Sequence, residues 1–249
     1  ILAQDDDIIS IAGGCVCCSY GSDMAAALME LRALDPPPDH VLLEASGVAL
    51  PGAIAGSVGL LQGYSVDGVV ILADGAELRR NANHKYMGDT VTRQLADADI
   101  VVLNKADLVD AATLAQTQDF ALSHAKNAQV VTAEHGRLPP AVVLQSFVER
   151  ERDAGSRHDV SGFASVAVAM DAACDPEAVA QVLASEALGL IRAKGFVRDE
   201  QGGVFAVQCV ARRWAVEPAD FDGALGVVCI GLKPEFDAER IKSAVLTPE

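Results

Sequence analysis

The sequence predicts an α/β protein in two parts: a mostly parallel sheet wound by helices, then a smaller α+β domain. Three apolar runs, at residues 40–47, 67–74 and 98–107, each end in polar groups, and helical stretches separate them. Strands alternating with helices at this spacing imply parallel pairing through right-handed crossovers. A charged, apolar-poor stretch then covers residues 149–159, and beyond it the pattern changes to short alternating strands. That change places the boundary between a first domain over 1–150 and a second over 160–249.

Taken in order, Ile8-Ile9-Ser10-Ile11 reads as a short strand behind the acidic run Asp5-Asp6-Asp7. Ser22 or Asp23 can cap a helix whose apolar positions Met24, Leu28, Leu31 and Leu34 fall at helical spacing, and Pro36-Pro37-Pro38 stops it. Residues 40–47 form an apolar run closed by Glu44, Ser46 and Gly47, the pattern of a buried parallel strand. In open α/β sheets ligands collect at such carboxyl ends. The next two strands end in Asp74 and in Asn104, Lys105 and Asp107. Helices are predicted over about 87–96 and 111–125, and a strand over 129–132. In the second half, strands are predicted over 162–170, 191–197, 204–211, 214–216 and 226–230. Helices are predicted from Asp175-Pro176 to about Glu186, with proline at a position a helix start tolerates, and over 238–245. This half carries no catalytic constellation and reads as a platform for contacts.

The 249 residues are 51 % hydrophobic and 22 % charged, which suits a globular protein. A net charge of −16 leaves no basic face to neutralise phosphates, so nucleic acid is excluded as a partner. The longest apolar runs are far too short to span a bilayer, so no membrane is expected. Cys174, Cys209 and Cys229 read as single core thiols, and a reducing, cytoplasmic setting is expected.

Ile11-Ala-Gly-Gly-Cys-Val-Cys-Cys-Ser19 places Cys15, Cys17 and Cys18 within four positions. Three soft thiolates on one tight loop can converge on Zn²⁺, Co²⁺ or Cu⁺, and Gly13 and Gly14 let the backbone fold closely enough. Zinc is the leading choice. A redox pair at C-x-x-C spacing, Cys15 with Cys18, and inert burial are the other readings. Three ligands leave the fourth position of a zinc site open, a geometry suited to handing a metal on. His84, in a polar loop, could supply a fourth ligand, although a surface histidine is the plainer reading.

Asn104-Lys-Ala-Asp107 is the second signal. At a strand end, Asp107 can accept two hydrogen bonds from the guanine edge, whereas adenine presents an acceptor there and leaves the carboxylate unpaired. Asn104 would tie the loop to the base, and Lys105 would lay its alkyl stem along the ring.

Together, the GGCVCC loop (13–18), the LLEASG strand end (42–47) with Pro51 following, and VVLNKADLVD (101–110) resemble the CobW-like branch of the P-loop GTPases. That branch is related to the hydrogenase and urease nickel-insertion GTPases. In the second half Arg192-Ala-Lys-Gly-Phe-Val197, Val207-Gln208, Arg212 and Cys229-Ile-Gly231 look like the family's C-terminal domain. The resemblance implies a P-loop-NTPase-type sheet followed by a ferredoxin-like domain. It also implies a GTP-dependent metallochaperone that hydrolyses GTP and delivers zinc, cobalt or another transition metal to a metal-requiring client protein. By position, Cys15, Cys17 and Cys18 would hold the metal, and Glu44 would stand near Mg²⁺ and the attacking water. Gly47 would offer backbone to the γ-phosphate, Asn104, Lys105 and Asp107 would read guanine, and Thr132 and Ala133 would lie beside the base. A homodimer is a family expectation.

The family's phosphate-binding loop, G-x-x-x-x-G-K-[ST], does not occur in these 249 residues. The chain is therefore expected to be the remainder of a longer protein, with a natural truncation as the other reading, and, alone, neither to hydrolyse GTP nor to hold it tightly. A non-catalytic metal- or partner-binding module is the second reading, and a thiol redox protein the third.

Overall fold

The structure is a computed structural model that describes residues 3–5, 8–10, 20–144 and 162–248. It opens with an antiparallel hairpin of β1 (Ala3–Asp5) and β2 (Ile8–Ser10), followed by α1 (Tyr20–Arg32). The predicted strand at 8–11 thus exists, paired to its own neighbour. Helix α2 (Pro51–Val58) starts on proline, whose fixed φ suits a first helical position. A parallel sheet in the order β3-β4-β5 follows, built from β3 (Val70–Asp74), β4 (Ile100–Asn104) and β5 (Gln129–Thr132). Between these strands lie α3 (Leu78–Ala82), α4 (Gly88–Ala96) and α5 (Ala111–His124). Asp110 caps α5 by accepting from the Thr113 amide at 2.7 Å.

Strand β4 explains the continuous apolar run that announced it, because both of its faces are buried. Val101 and Leu103 pack against Leu95 and Ala121 of the flanking helices. Ile100 and Val102 face the other way, toward the second face of the sheet. After α6 (Pro140–Val143), the C-terminal domain closes that second face with its own sheet. This sheet is antiparallel, in the order β6-β10-β7-β8-β9, with β6 (Phe163–Ala169), β7 (Leu190–Arg198), β8 (Val204–Val210), β9 (Arg213–Pro218) and β10 (Gly226–Leu232). Ile191, Val210 and Ile230 share one buried cluster with Ile100, Val102, Val131 and Val142. The β7–β10 register shifts between Ile230 and Gly231 and skips Ile191, the signature of a bulge that turns Ile191 toward this shared core. Helices α7 (Pro176–Leu183) and α8 (Ala238–Leu246) cover the opposite face of the antiparallel sheet, packing Val179, Leu183, Ile241 and Val245 on Ala193, Val207 and Cys229.

Among the described residues, two ion pairs join the domains beside this core. Arg192, only 2 % exposed, pairs with Asp67 and donates from Nη1 to the Val143 carbonyl at 3.1 Å. Burial pulls its guanidinium down to about 10. Arg213 meets Asp99 at 2.7 Å, and Asp99 also accepts from the Val69 amide, while burial pushes its carboxyl above the usual range.

The strand predicted over 40–47 is absent. Residues 40–46 carry no ladder, and Leu42 and Leu43 are exposed. An apolar run becomes a strand only where a neighbouring edge takes its hydrogen bonds. Among the described residues β3 has one partner, β4, and its outer edge is unpaired. Among the described residues, no helix is long and apolar enough to cross a membrane.

Candidate functional site

The parallel strands β3 and β4 end level with one another, because Asp74 and Asn104 are register partners. This brings the polar ends of two predicted strands to one place. After Asn104 the chain turns through Lys105 in the left-handed region (φ 60°) into a single 3-10 turn at Ala106–Leu108, which carries Asp107. A non-glycine residue there is uncommon and needs outside support. That support is present on both sides: the Gly75 amide donates to the Asn104 carbonyl at 2.8 Å, and the Ala106 amide donates to the Ala133 carbonyl at 3.1 Å. The Lys105 ammonium reaches the Asp74 carboxylate at 2.8 Å.

The electrostatics follow from that contact. The hydrogen bond from Lys105 holds the Asp74 carboxyl below its ordinary value, and the same bond raises the ammonium of Lys105. Asp74 also accepts from the amides of Ala76 and Glu77 and so pins the turn after β3. Thr117 of α5 donates to the Gly75 carbonyl at 3.2 Å, tying that turn to the helix layer. Asp74 was visible in the sequence as a strand-end carboxylate, but its partnership with Lys105 becomes legible only once the strands pair in register.

The third wall is the turn after β5. The Ala133 amide donates to the Leu103 carbonyl at 2.9 Å, which extends the β4–β5 ladder by one step. The Gly136 amide then donates to Asn104 Oδ1 at 2.8 Å. Asn104 is thereby fixed through its oxygen, and among the described residues no hydrogen bond takes up its NH₂ group. His135 Nε2 lies 3.9 Å from Asp107 Oδ2, the side chains being 69 % and 27 % exposed. Gly136 was not singled out as a site residue in the sequence, although glycine three residues past a strand-end threonine-alanine pair is a turn signal.

The result is a polar rim at the carboxyl end of the sheet, where an amide (Asn104), a lysine (Lys105) and a carboxylate (Asp107) follow one another at the end of β4 and in the turn after it. Of the predicted residues, Asn104, Lys105, Asp107 and Ala133 come together here, and Thr132 closes β5 beneath them. Glu44 and Gly47 do not join them. Glu44 is exposed in the unpaired stretch, and Gln94 holds the carbonyls of Gly47 and Ala49 at 3.0 and 2.8 Å. Gln94 sits in the last turn of α4, which leads into the start of β4, whereas Asn104 ends that strand about 13 Å further on at ~3.3 Å per residue.

Cys15, Cys17 and Cys18 lie outside the described residues. Among the described residues no group of three His, Cys, Asp or Glu side chains is suited to a metal ion. His84 accepts from the Tyr86 amide at 3.3 Å in a local turn. Cys209 and Cys229 are buried, as expected of core thiols, and burial pushes both up to about 12.

Residues 1–132 match the family model described as the CobW/HypB/UreG nucleotide-binding domain, and residues 163–246 match the cobalamin synthesis protein cobW C-terminal domain. Among curated relatives, the zinc chaperone CobW of a Sinorhizobium species is 29 % identical over 210 residues, which cover 70 % of this chain and 59 % of that one. The zinc chaperone YjiA of Escherichia coli is 27 % identical over 269 residues, covering 95 % and 80 %. The chain thus spans 59 % and 44 % of the length of two CobW relatives that it matches. A crystal structure of Zn(II)-bound YjiA GTPase from E. coli aligns over 82 % of this chain and 69 % of that one, at 22 % identity and a TM-score of 0.35, an overlay too loose to place any residue.

Proposed function

The chain belongs to the CobW/HypB/UreG family, and from that premise we propose that it is a guanine-nucleotide-dependent metallochaperone. In this reading a transition metal, with zinc the first choice and cobalt the second, is held by Cys15, Cys17 and Cys18 and delivered to a metal-requiring client. GTP hydrolysis with Mg²⁺ drives the cycle, and Glu44 and Gly47 serve its phosphate end. Guanine is read by Asn104, Lys105 and Asp107, with Thr132 and Ala133 beside the base. The protein works in the cytoplasm, and a homodimer is its expected assembly.

The observation that carries this reading is the Asp107 rim. Its carboxylate takes no hydrogen bond among the described residues, and it stands beside an asparagine amide whose NH₂ is unspent. A pair of acceptor and donor groups at a strand end matches the N1–H, N2–H₂ and N7 of guanine, and adenine leaves the carboxylate unmatched. Support for the metal half comes from the thiolate cluster and from relatives named as zinc chaperones.

Equilibrium binding of fluorescent GDP and ADP to wild type and to Asp107→Asn tests the reading. A preference for GDP that falls at least tenfold in the variant is expected, since a lost charge-assisted bidentate contact is worth about 1.5–3 kcal/mol. Equal affinity for the two nucleotides in wild type would refute it.

A further inference from the structure

His135 lies at the same rim, and its backbone is not where an ordinary loop histidine would be. Its φ is +53°, and Gly136 follows at +68°, so two successive residues occupy the left-handed region. For histidine that conformation is uncommon and needs to be held. The turn is held at three points: the Ala133 amide on Leu103, the Gly136 amide on Asn104 Oδ1, and the Arg137 amide on the Glu134 carbonyl at 3.0 Å. Asn104, a base-reading residue in the account above, therefore also sets the backbone that carries the imidazole. The outcome is the 3.9 Å approach of Nε2 to Asp107 Oδ2.

The other charges of the rim do not compete for Asp107. Lys105 is committed to Asp74 at 2.8 Å. Glu134 and Arg137 belong to the same turn as His135, and neither forms an ion pair among the described residues. The imidazole is thus the one ionisable donor that the described rim brings within 4 Å of the guanine-reading carboxylate.

We propose that His135 is a specificity residue of this site, whose imidazole competes with the guanine edge for Asp107. This rests on the guanine reading above. Guanine needs both carboxylate oxygens for its paired contact, and an imidazole nitrogen 3.9 Å from Oδ2 stands where one of those contacts must form. Adenine makes no use of Asp107, so the competition falls on guanine alone. His135 therefore lowers guanine affinity and narrows the gap between the two bases, which favours nucleotide exchange over tight retention.

The test is GDP and ADP binding to wild type, His135→Ala, His135→Lys and Asp107→Asn. The contact is solvent-exposed, so its worth is modest: His135→Ala should tighten GDP about two- to five-fold and leave ADP unchanged. His135→Lys, which keeps a permanent cation at the same position, should weaken GDP by a similar factor. In the Asp107→Asn background both substitutions should lose their effect, a readout that a merely structural role of the turn would not give. His135→Ala with unchanged or weakened GDP binding, in a protein that still prefers GDP to ADP, overturns this inference and leaves the guanine reading standing. Loss of any GDP preference in wild type overturns both.

Discussion

Replacing Asp67 with alanine should destabilise the whole protein, because it strands a buried guanidinium. Arg192 is almost wholly buried between the two sheets, and its contacts among the described residues are Asp67 and the Val143 carbonyl. Breaking a buried ion pair by removing one partner costs about 3–5 kcal/mol, since the remaining charge is left uncompensated. Asp67 is partly solvated, and the Val143 contact survives, so the lower end applies, about 3 kcal/mol. For a chain of this size each kcal/mol lowers Tm by ~2–4 °C, which predicts a fall of roughly 6–12 °C. The double variant Asp67→Ala/Arg192→Met removes both charges and keeps an apolar filler opposite Val210, its register partner on β8. It should recover most of the loss, to within about 1.5 kcal/mol of wild type. Urea denaturation followed by circular dichroism measures wild type, the two single variants Asp67→Ala and Arg192→Met, and the double variant. A single Asp67→Ala that costs less than about 0.5 kcal/mol, or a double variant worse than the sum of the single ones, would refute a buried inter-domain pair.

Two further outcomes follow from the charges. Lys105→Met should move the carboxyl titration of Asp74, followed by NMR, upward, because the Lys105 hydrogen bond is the largest cause of its depression; an unmoved titration would dissolve the pair. Burial holds the Lys194 ammonium down to about 8, against an ordinary 10.5, so between these values the unfolded chain binds more protons and stability rises with pH. Cys209 and Cys229, pushed up to about 12 from 9.0, act in the opposite sense above pH 9. The rise should therefore be clearest from pH 8 to 9 and should flatten in Lys194→Met; an unchanged slope in that variant contradicts the assignment.

Local signals were legible wherever one element's own residues decide its fate. The run Ile100–Asn104 is apolar on both faces because both faces are buried, and Asp175-Pro176 announces the start of its helix. The guanine-type rim was legible at Asn104, Lys105 and Asp107 because a strand end and its turn are contiguous in sequence. Residues 40–47 were misread because strand formation depends on a partner edge, which no local pattern encodes. The closure of the parallel sheet by Ile191, Val210 and Ile230 was equally invisible, since alternation in an antiparallel strand shows that a face is buried but not against what. His135 and Gly136 join the rim through backbone geometry that only the β4–β5 pairing creates.

Coupling between nucleotide and metal is read from the zinc affinity of the purified protein, measured with GDP and with a non-hydrolysable GTP analogue. Such coupling predicts a difference of about fivefold or more between the two nucleotides, abolished in Cys15→Ser/Cys17→Ser/Cys18→Ser. It also predicts the same factor when nucleotide affinity is measured with and without zinc, as linkage demands. Zinc affinity indifferent to nucleotide would contradict it and leave a metal-binding module in its place.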